Sequence, residues 1–86
     1  MMDNASKARC LSLAVTLAER RTLAAHGRYR WLRGCVRDAM AQGKRDLARV
    51  HTLEAWRERR AFNEARDDRR RALVAFNEET ANHESA

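Results

Sequence analysis

The stretch that decides the fold is residues 41–46, which read AQGKRD. Gly43 is one of only three glycines, and the chain contains no proline. Glycine readily adopts the left-handed conformation that ends many helices, and the side chain of Asp46 can cap a helix that follows. We therefore predict a turn at about residues 42–45, between a helix over about 5–42 and a second helix over about 46–79.

Upstream of this turn, apolar residues recur in steps that alternate between four and three. This heptad spacing is typical of a helix that packs along another helix. The members of the row are Ala8, Leu11, Val15, Ala18, Thr22, Ala25, Tyr29, Leu32, Val36, Ala39 and Gly43. The row predicts one long helix before the turn.

Downstream of the turn, the apolar residues form two patches. The first contains Leu47, Val50, Leu53 and Trp56, and the second contains Phe62, Ala65, Ala72, Leu73 and Phe76. Folding the chain antiparallel about Gly43 places the first patch against Val36, Leu32 and Tyr29, and it places Phe62 against Ala25. We therefore predict an all-α protein, a long antiparallel helical hairpin that resembles a coiled coil.

Two other arrangements fit the same pattern. Val50 and Leu53 continue the first heptad phase past Gly43, which is compatible with a single uninterrupted helix. A break at Gly27 would instead divide the chain into three helices. We predict one helical domain over residues 1–86 with a disordered acidic tail over 80–86. Since two helices bury a thin core, we also predict that the hairpin forms a homodimer and so builds a helical bundle.

The chain is basic, with 18 Lys+Arg against 12 Asp+Glu and a net charge of +6. This charge favours nucleic acid, an acidic protein surface or an anionic membrane as partner, although a GC-rich genome also enriches arginine. We expect no membrane partner, because no segment combines a bulky apolar face with a purely basic one. No apolar stretch is long enough for a membrane span, and the N-terminus lacks the pattern of a signal peptide. Cys10 and Cys35 would lie about 37 Å apart on one helix, too far for a disulfide. Reduced thiols indicate a cytoplasmic location.

A second apolar row follows the first helix at seven-residue spacing and contains Cys10, Leu17, Ala24 and Trp31. An aromatic side chain beside small residues suits docking against another surface. We predict a partner-binding surface made of Leu17, Ala24, Trp31, Arg30, Arg37, Gly27 and Gly34. The alternative interpretation is that Trp31 packs across its own hairpin.

Residues 20–37 also suggest a nucleic-acid site, because they contain six basic residues and no acidic residue. Arginine neutralises phosphates, and nearby aromatic side chains such as Tyr29 and Trp31 can stack on bases. The candidate residues are Arg20, Arg21, Arg28, Arg30, Arg33 and Arg37. They point around several sides of a helix, which weakens this alternative.

Catalysis has no comparable pattern in the sequence. His26, His51 and His83 lack partners at metal-ligand spacing, and no glycine-rich phosphate loop is present. We therefore expect no enzymatic activity, no metal and no cofactor.

Two resemblances accompany these patterns. Residues 56–79, which open with WRERR, resemble the charged coiled-coil hairpins of secretion-system stalk proteins. In size and composition the chain resembles small phage-encoded proteins that bind and disable host factors. No specific motif supports either resemblance, so neither transfers a functional residue. We predict an interaction protein that acts as adaptor, chaperone or inhibitor.

Overall fold

The protein is a helical hairpin, seen in a computed structural model that describes residues 4–85 and the side chains of residues 5–82. Helix α1 spans Asn4–Ala41 and helix α2 spans Arg45–Ser85. The two helices pack antiparallel in a rod of 65 × 16 × 16 Å. The predicted hairpin is confirmed, and both alternatives are wrong, because the chain reverses at Gly43 and α1 continues through Gly27.

The turn is a Schellman motif centred on Gly43. Its φ of 73° is the one positive φ among the described residues. The amide of Gly43 donates a hydrogen bond to the carbonyl of Met40 at 3.0 Å, and the amide of Lys44 donates one to the carbonyl of Ala39 at 2.8 Å. Two of the carbonyl groups in the last turn of α1 therefore have hydrogen-bond donors. Lys44, rather than the predicted Asp46, precedes α2 as its N-cap. Asp46 lies in the first turn of α2, where its carboxylate interacts favourably with the helix dipole.

Alanine dominates the contact between the helices. The described apolar side chains that are buried are Ala18, Ala25, Leu32, Ala39, Ala48, Ala55 and Ala65. On α1 the first four belong to the predicted row, and the other row members from Ala8 to Val36 are half-buried. The predicted core face of α1 is therefore confirmed, and its small side chains let the two helices approach closely.

The predicted core face of α2 is correct only in its second half. Phe62 and Phe76 are half-buried, but Val50, Leu53 and Trp56 are exposed, so their predicted packing against α1 is wrong. The row that contains Phe76 and Phe62 continues toward the turn, in steps of three and four, to Ala55 and Ala48. Because a straight helix presents one phase to its neighbour, these alanines face α1 and the first patch faces outward.

The acidic end of the chain is also helical. Helix α2 continues past the predicted end at residue 79 to Ser85, so the disordered tail is wrong for residues 80–85. Ala86 lies outside the described residues. The hydroxyl of Thr80 donates to the carbonyl of Phe76 at 2.9 Å, and Lys7 Nζ lies 3.5 Å from Glu79 Oε2, which ties this end of α2 to α1. No glycine or proline interrupts α2 after the turn.

Within residues 4–85, neither helix contains a stretch that is both long and apolar enough to cross a membrane.

Candidate functional site

The predicted partner-binding residues lie together on the outer side of α1. Trp31 is 67% exposed and Leu17 is 49% exposed, so neither packs across the hairpin. Ala24 is exposed, and a Cβ atom added at Gly27 or Gly34 would meet no atom within 4 Å. This surface, here called the Trp31 face, consists of Leu17, Ala24, Gly27, Arg30, Trp31, Gly34 and Arg37. It combines an aromatic side chain, bare helix backbone and a basic edge.

Two arginines of the Trp31 face, Arg30 and Arg37, form a basic group with Arg33, which lies outside that face. Arg30, Arg33 and Arg37 surround Gly34 and line one depression with it. Within the part of the chain that the structure describes, none of the three has an acidic partner within ion-pair distance. Their guanidinium groups therefore face solvent, where they can meet an anionic surface.

The other candidate arginines of residues 20–37 lie apart from that group. Arg21 pairs with Asp68 at 3.4 Å, and Nε of Arg28 lies 2.9 Å from Oε2 of Glu58. Both pairs cross the seam between α1 and α2, and Arg20 lines a depression on that same side of the hairpin. The structure thus divides the six predicted nucleic-acid residues into two groups of three.

Sequence reasoning missed an exposed apolar surface on α2. Leu53 and Trp56, with Arg57 and Arg60, line an open groove of about 240 Å³. Trp56 is 64% exposed, and Leu47 and Val50 extend the apolar surface toward the turn. We call the four lining residues the Trp56 groove. The uniform three-residue spacing of this patch is the signal in the sequence, because a core row would alternate between three and four.

The two tryptophans lie at one level of the hairpin but on opposite sides. The Arg28–Glu58 pair places them at nearly the same distance from the turn. Trp31 lies two turns from Ala24 on the same face of α1. Ala24, Ala61 and Asp68 line one depression, which identifies one side of the hairpin as the side of Trp31. Trp56 lies one turn from Arg59, whose guanidinium stacks over Tyr29 on the other side. The hairpin therefore presents two separate aromatic surfaces.

The net charge is concentrated in the half of the hairpin nearest the turn. Residues 28–60 contain ten Lys+Arg and four Asp+Glu, which gives +6. The remaining residues contain eight of each and are neutral overall. Both tryptophans lie in the charged half, which we call the head. The head thus combines the largest exposed aromatic side chains with all of the net positive charge.

No group of three or more His, Cys, Asp or Glu among the described residues is placed to hold a metal ion. No protein family, curated protein or solved structure matches this chain. The candidate sites therefore rest on the geometry of the hairpin itself.

Proposed function

We propose that this protein is a helical-hairpin interaction module that docks on a partner protein through the Trp31 face and acts as adaptor, chaperone or inhibitor. The observation that carries the proposal is the exposure of Trp31 and Leu17 on a hairpin whose own contact is closed by alanines. Removing an exposed tryptophan from water on a partner contributes strongly to affinity, whereas it does nothing for the isolated fold. One class of protein that acts in this way is the small phage-encoded inhibitors of host factors.

The partner surface we propose is acidic. Arg30 and Arg37 line the depression around Gly34, which lies one turn from Trp31, and they have no acidic partner among the described residues. A carboxylate-rich rim on the partner would complement them. Such rim charges raise the association rate more than they tighten the final complex. In this arrangement Trp31 contributes most of the binding affinity, and the arginines raise the association rate.

Trp31→Ala tests the proposal, with Val74→Ala as matched control, because Val74 is a half-exposed apolar residue far from the Trp31 face. The partner is first identified by pull-down from the source cell with mass spectrometry. We expect Trp31→Ala to keep the helical circular dichroism spectrum and to weaken binding roughly thirtyfold, as interface tryptophans often do. Equal binding by the two variants would refute the role of Trp31.

A nucleic-acid partner is the second candidate, and the depression of Arg30, Arg33 and Arg37 around Gly34 supports it. Phosphate contacts make binding strongly salt-dependent. In that case affinity for mixed-sequence DNA or RNA would be micromolar or better and would fall steeply with salt. Arg33→Ala would then lower the salt slope by about one. Weak binding without that slope leaves the protein partner as the better proposal.

The free protein is, in our proposal, a homodimer. The buried side chains of the described hairpin are six alanines and Leu32, which is little apolar area for a stable fold. A second copy would cover Leu13 and Leu17 in the half without net charge, where like charges do not oppose association. Because Leu17 also belongs to the Trp31 face, binding of the partner would displace this second copy. Sedimentation equilibrium at tens of micromolar tests this, and a 10 kDa monomer with a high melting temperature would contradict it.

The location we propose is the cytoplasm. Cys10 and Cys35 lie on one continuous helix, about 37 Å apart by its rise. A disulfide between them within the hairpin is excluded by that distance, and cysteines that do not form a disulfide are typical of a reducing compartment. Fractionation of the source cell, with detection of the protein in each fraction, tests the assignment.

A further inference from the structure

The Trp56 groove has two unlike walls. On a helix surface, residues three apart form oblique ridges, and a groove runs between neighbouring ridges. One ridge here carries Val50, Leu53 and Trp56, and the next carries Glu54, Arg57 and Arg60. The groove therefore has an apolar wall on one side and a mainly basic wall on the other.

The basic wall is free to bind an outside anion. Among the described residues, Arg57 and Arg60 have no acidic partner within ion-pair distance. Of the neighbouring carboxylates, Glu58 pairs with Arg28, and Glu54 lies within ion-pair distance of neither Arg57 nor Arg60. The guanidinium groups beside Trp56 are thus without a counter-charge in the hairpin.

Charge determines which occupant fits. A second copy would bring another head of +6 against this one, and like charges facing each other across an interface oppose association. A nucleic acid would satisfy the arginines, but it offers little to the aliphatic side chains of Val50 and Leu53. A helix with leucine-like residues on one face and carboxylates beside them complements both walls.

We propose that the Trp56 groove is a second protein-binding site, which takes an acidic amphipathic helix of a partner. Because it lies on the side of the hairpin opposite Trp31, this helix and the partner on the Trp31 face bind together, and the hairpin bridges them. The groove site is independent of the Trp31 face, whereas the bridging rests on the proposed function. Either site can fail while the other stands.

A designed peptide tests the groove directly in the full-length chain. The probe is a labelled three-heptad helix with leucine at positions a and d and glutamate at e and g, whose negative charges keep it from pairing with itself. The matched control peptide carries lysine at e and g. We expect the glutamate peptide to bind at micromolar concentration in low salt, with a blue shift of Trp56 fluorescence in a Trp31→Phe background. The lysine peptide should bind at least tenfold more weakly.

Variants then locate the bound peptide. Trp56→Ala should weaken the glutamate peptide at least tenfold, whereas Trp31→Ala should leave it within twofold. The double variant Arg57→Glu and Arg60→Glu should reverse the preference between the two peptides, so that the lysine peptide binds more tightly than the glutamate peptide. The double variant Arg9→Glu and Arg20→Glu is the control, because it changes the net charge equally while both residues lie on α1, outside the head. That control should not reverse the preference.

Five outcomes would overturn the proposal. The first is no saturation by the glutamate peptide up to millimolar concentration, and the second is equal binding of both peptides. The third is a self-association that Leu53→Glu abolishes, which would make a second copy the occupant. The fourth is tighter binding of mixed-sequence DNA than of the glutamate peptide, where the double variant Arg57→Glu and Arg60→Glu abolishes the DNA binding. An effect of Trp31→Ala as large as that of Trp56→Ala would equally exclude a separate site.

Discussion

Arg69 donates a hydrogen bond of 3.0 Å from Nε to Oε1 of Glu19, although 50 residues separate them in the chain. Arg69 occupies a position of the α2 row that faces α1, between Phe62 and Phe76. The pair therefore bridges the edge of the alanine contact. Together with Lys7–Glu79 near the open end and Arg28–Glu58 in the head, it marks the antiparallel register along the whole hairpin.

A double-mutant cycle measures this pair. Both side chains are more than a third exposed, so we expect a coupling free energy of about 0.2–1 kcal/mol between Glu19→Gln and Arg69→Gln. One molar salt should reduce it, because the ions screen exposed charges. The control cycle combines Glu19→Gln with Arg70→Gln, an exposed arginine outside that contact. No coupling in low salt, measured by urea unfolding, would mean that the contact is not maintained in solution.

Leu32→Ala tests the packing of α1. Leu32 is 5% exposed and is the one bulky side chain among the buried apolar residues of the described chain. Its truncation leaves a cavity between the helices, so the free energy of unfolding should fall by about 2–5 kcal/mol. Leu23→Ala on the same helix is the control, because Leu23 is 73% exposed and should change stability by about 0.5 kcal/mol or less. Equal losses would contradict the assigned faces.

Two adjacent alanines test whether close approach of the helices matters. Ala25 is 1% exposed, whereas Ala24 faces solvent. Ala25→Leu must push the helices apart or adopt a strained rotamer, which we expect to cost about 1–3 kcal/mol. Ala24→Leu should be nearly neutral, since leucine and alanine have similar helix propensities. Thermal unfolding of both variants checks this, and a stable Ala25→Leu protein would show that the contact is loosely packed.

Two glycines should respond to alanine with opposite signs. Gly43 has a φ of 73°, which alanine adopts only with strain, so Gly43→Ala should destabilise the hairpin by about 1–2 kcal/mol. Gly27 is helical, and a Cβ there meets nothing within 4 Å. Gly27→Ala should therefore stabilise the protein by about 0.5–1 kcal/mol. Chemical denaturation measures both, and a stabilising Gly43→Ala would be incompatible with the turn.

The sequence by itself predicted α1 and the turn, although a single helix or a break at Gly27 fitted the same pattern. A single unbroken heptad row runs from Ala8 to Ala39, so local periodicity left one choice of buried face. Gly43 marked the reversal because only glycine takes its backbone conformation without strain. The row with Trp31 follows from the same periodicity, but its exposure was decided by the folded structure. These features depend on residues close together in the chain, which is why the sequence sufficed.

The tertiary structure alone decided the face of α2. Its two apolar patches differ in phase, and both cannot face α1 from one straight helix. The patch with Phe62 and Phe76 takes the core, because its row reaches the turn through Ala48 and Ala55, which permit close packing. Trp56 is thereby turned outward beside Arg57 and Arg60. Which of two competing rows is buried depends on the helix opposite, and that is a property of the folded pair rather than of either segment.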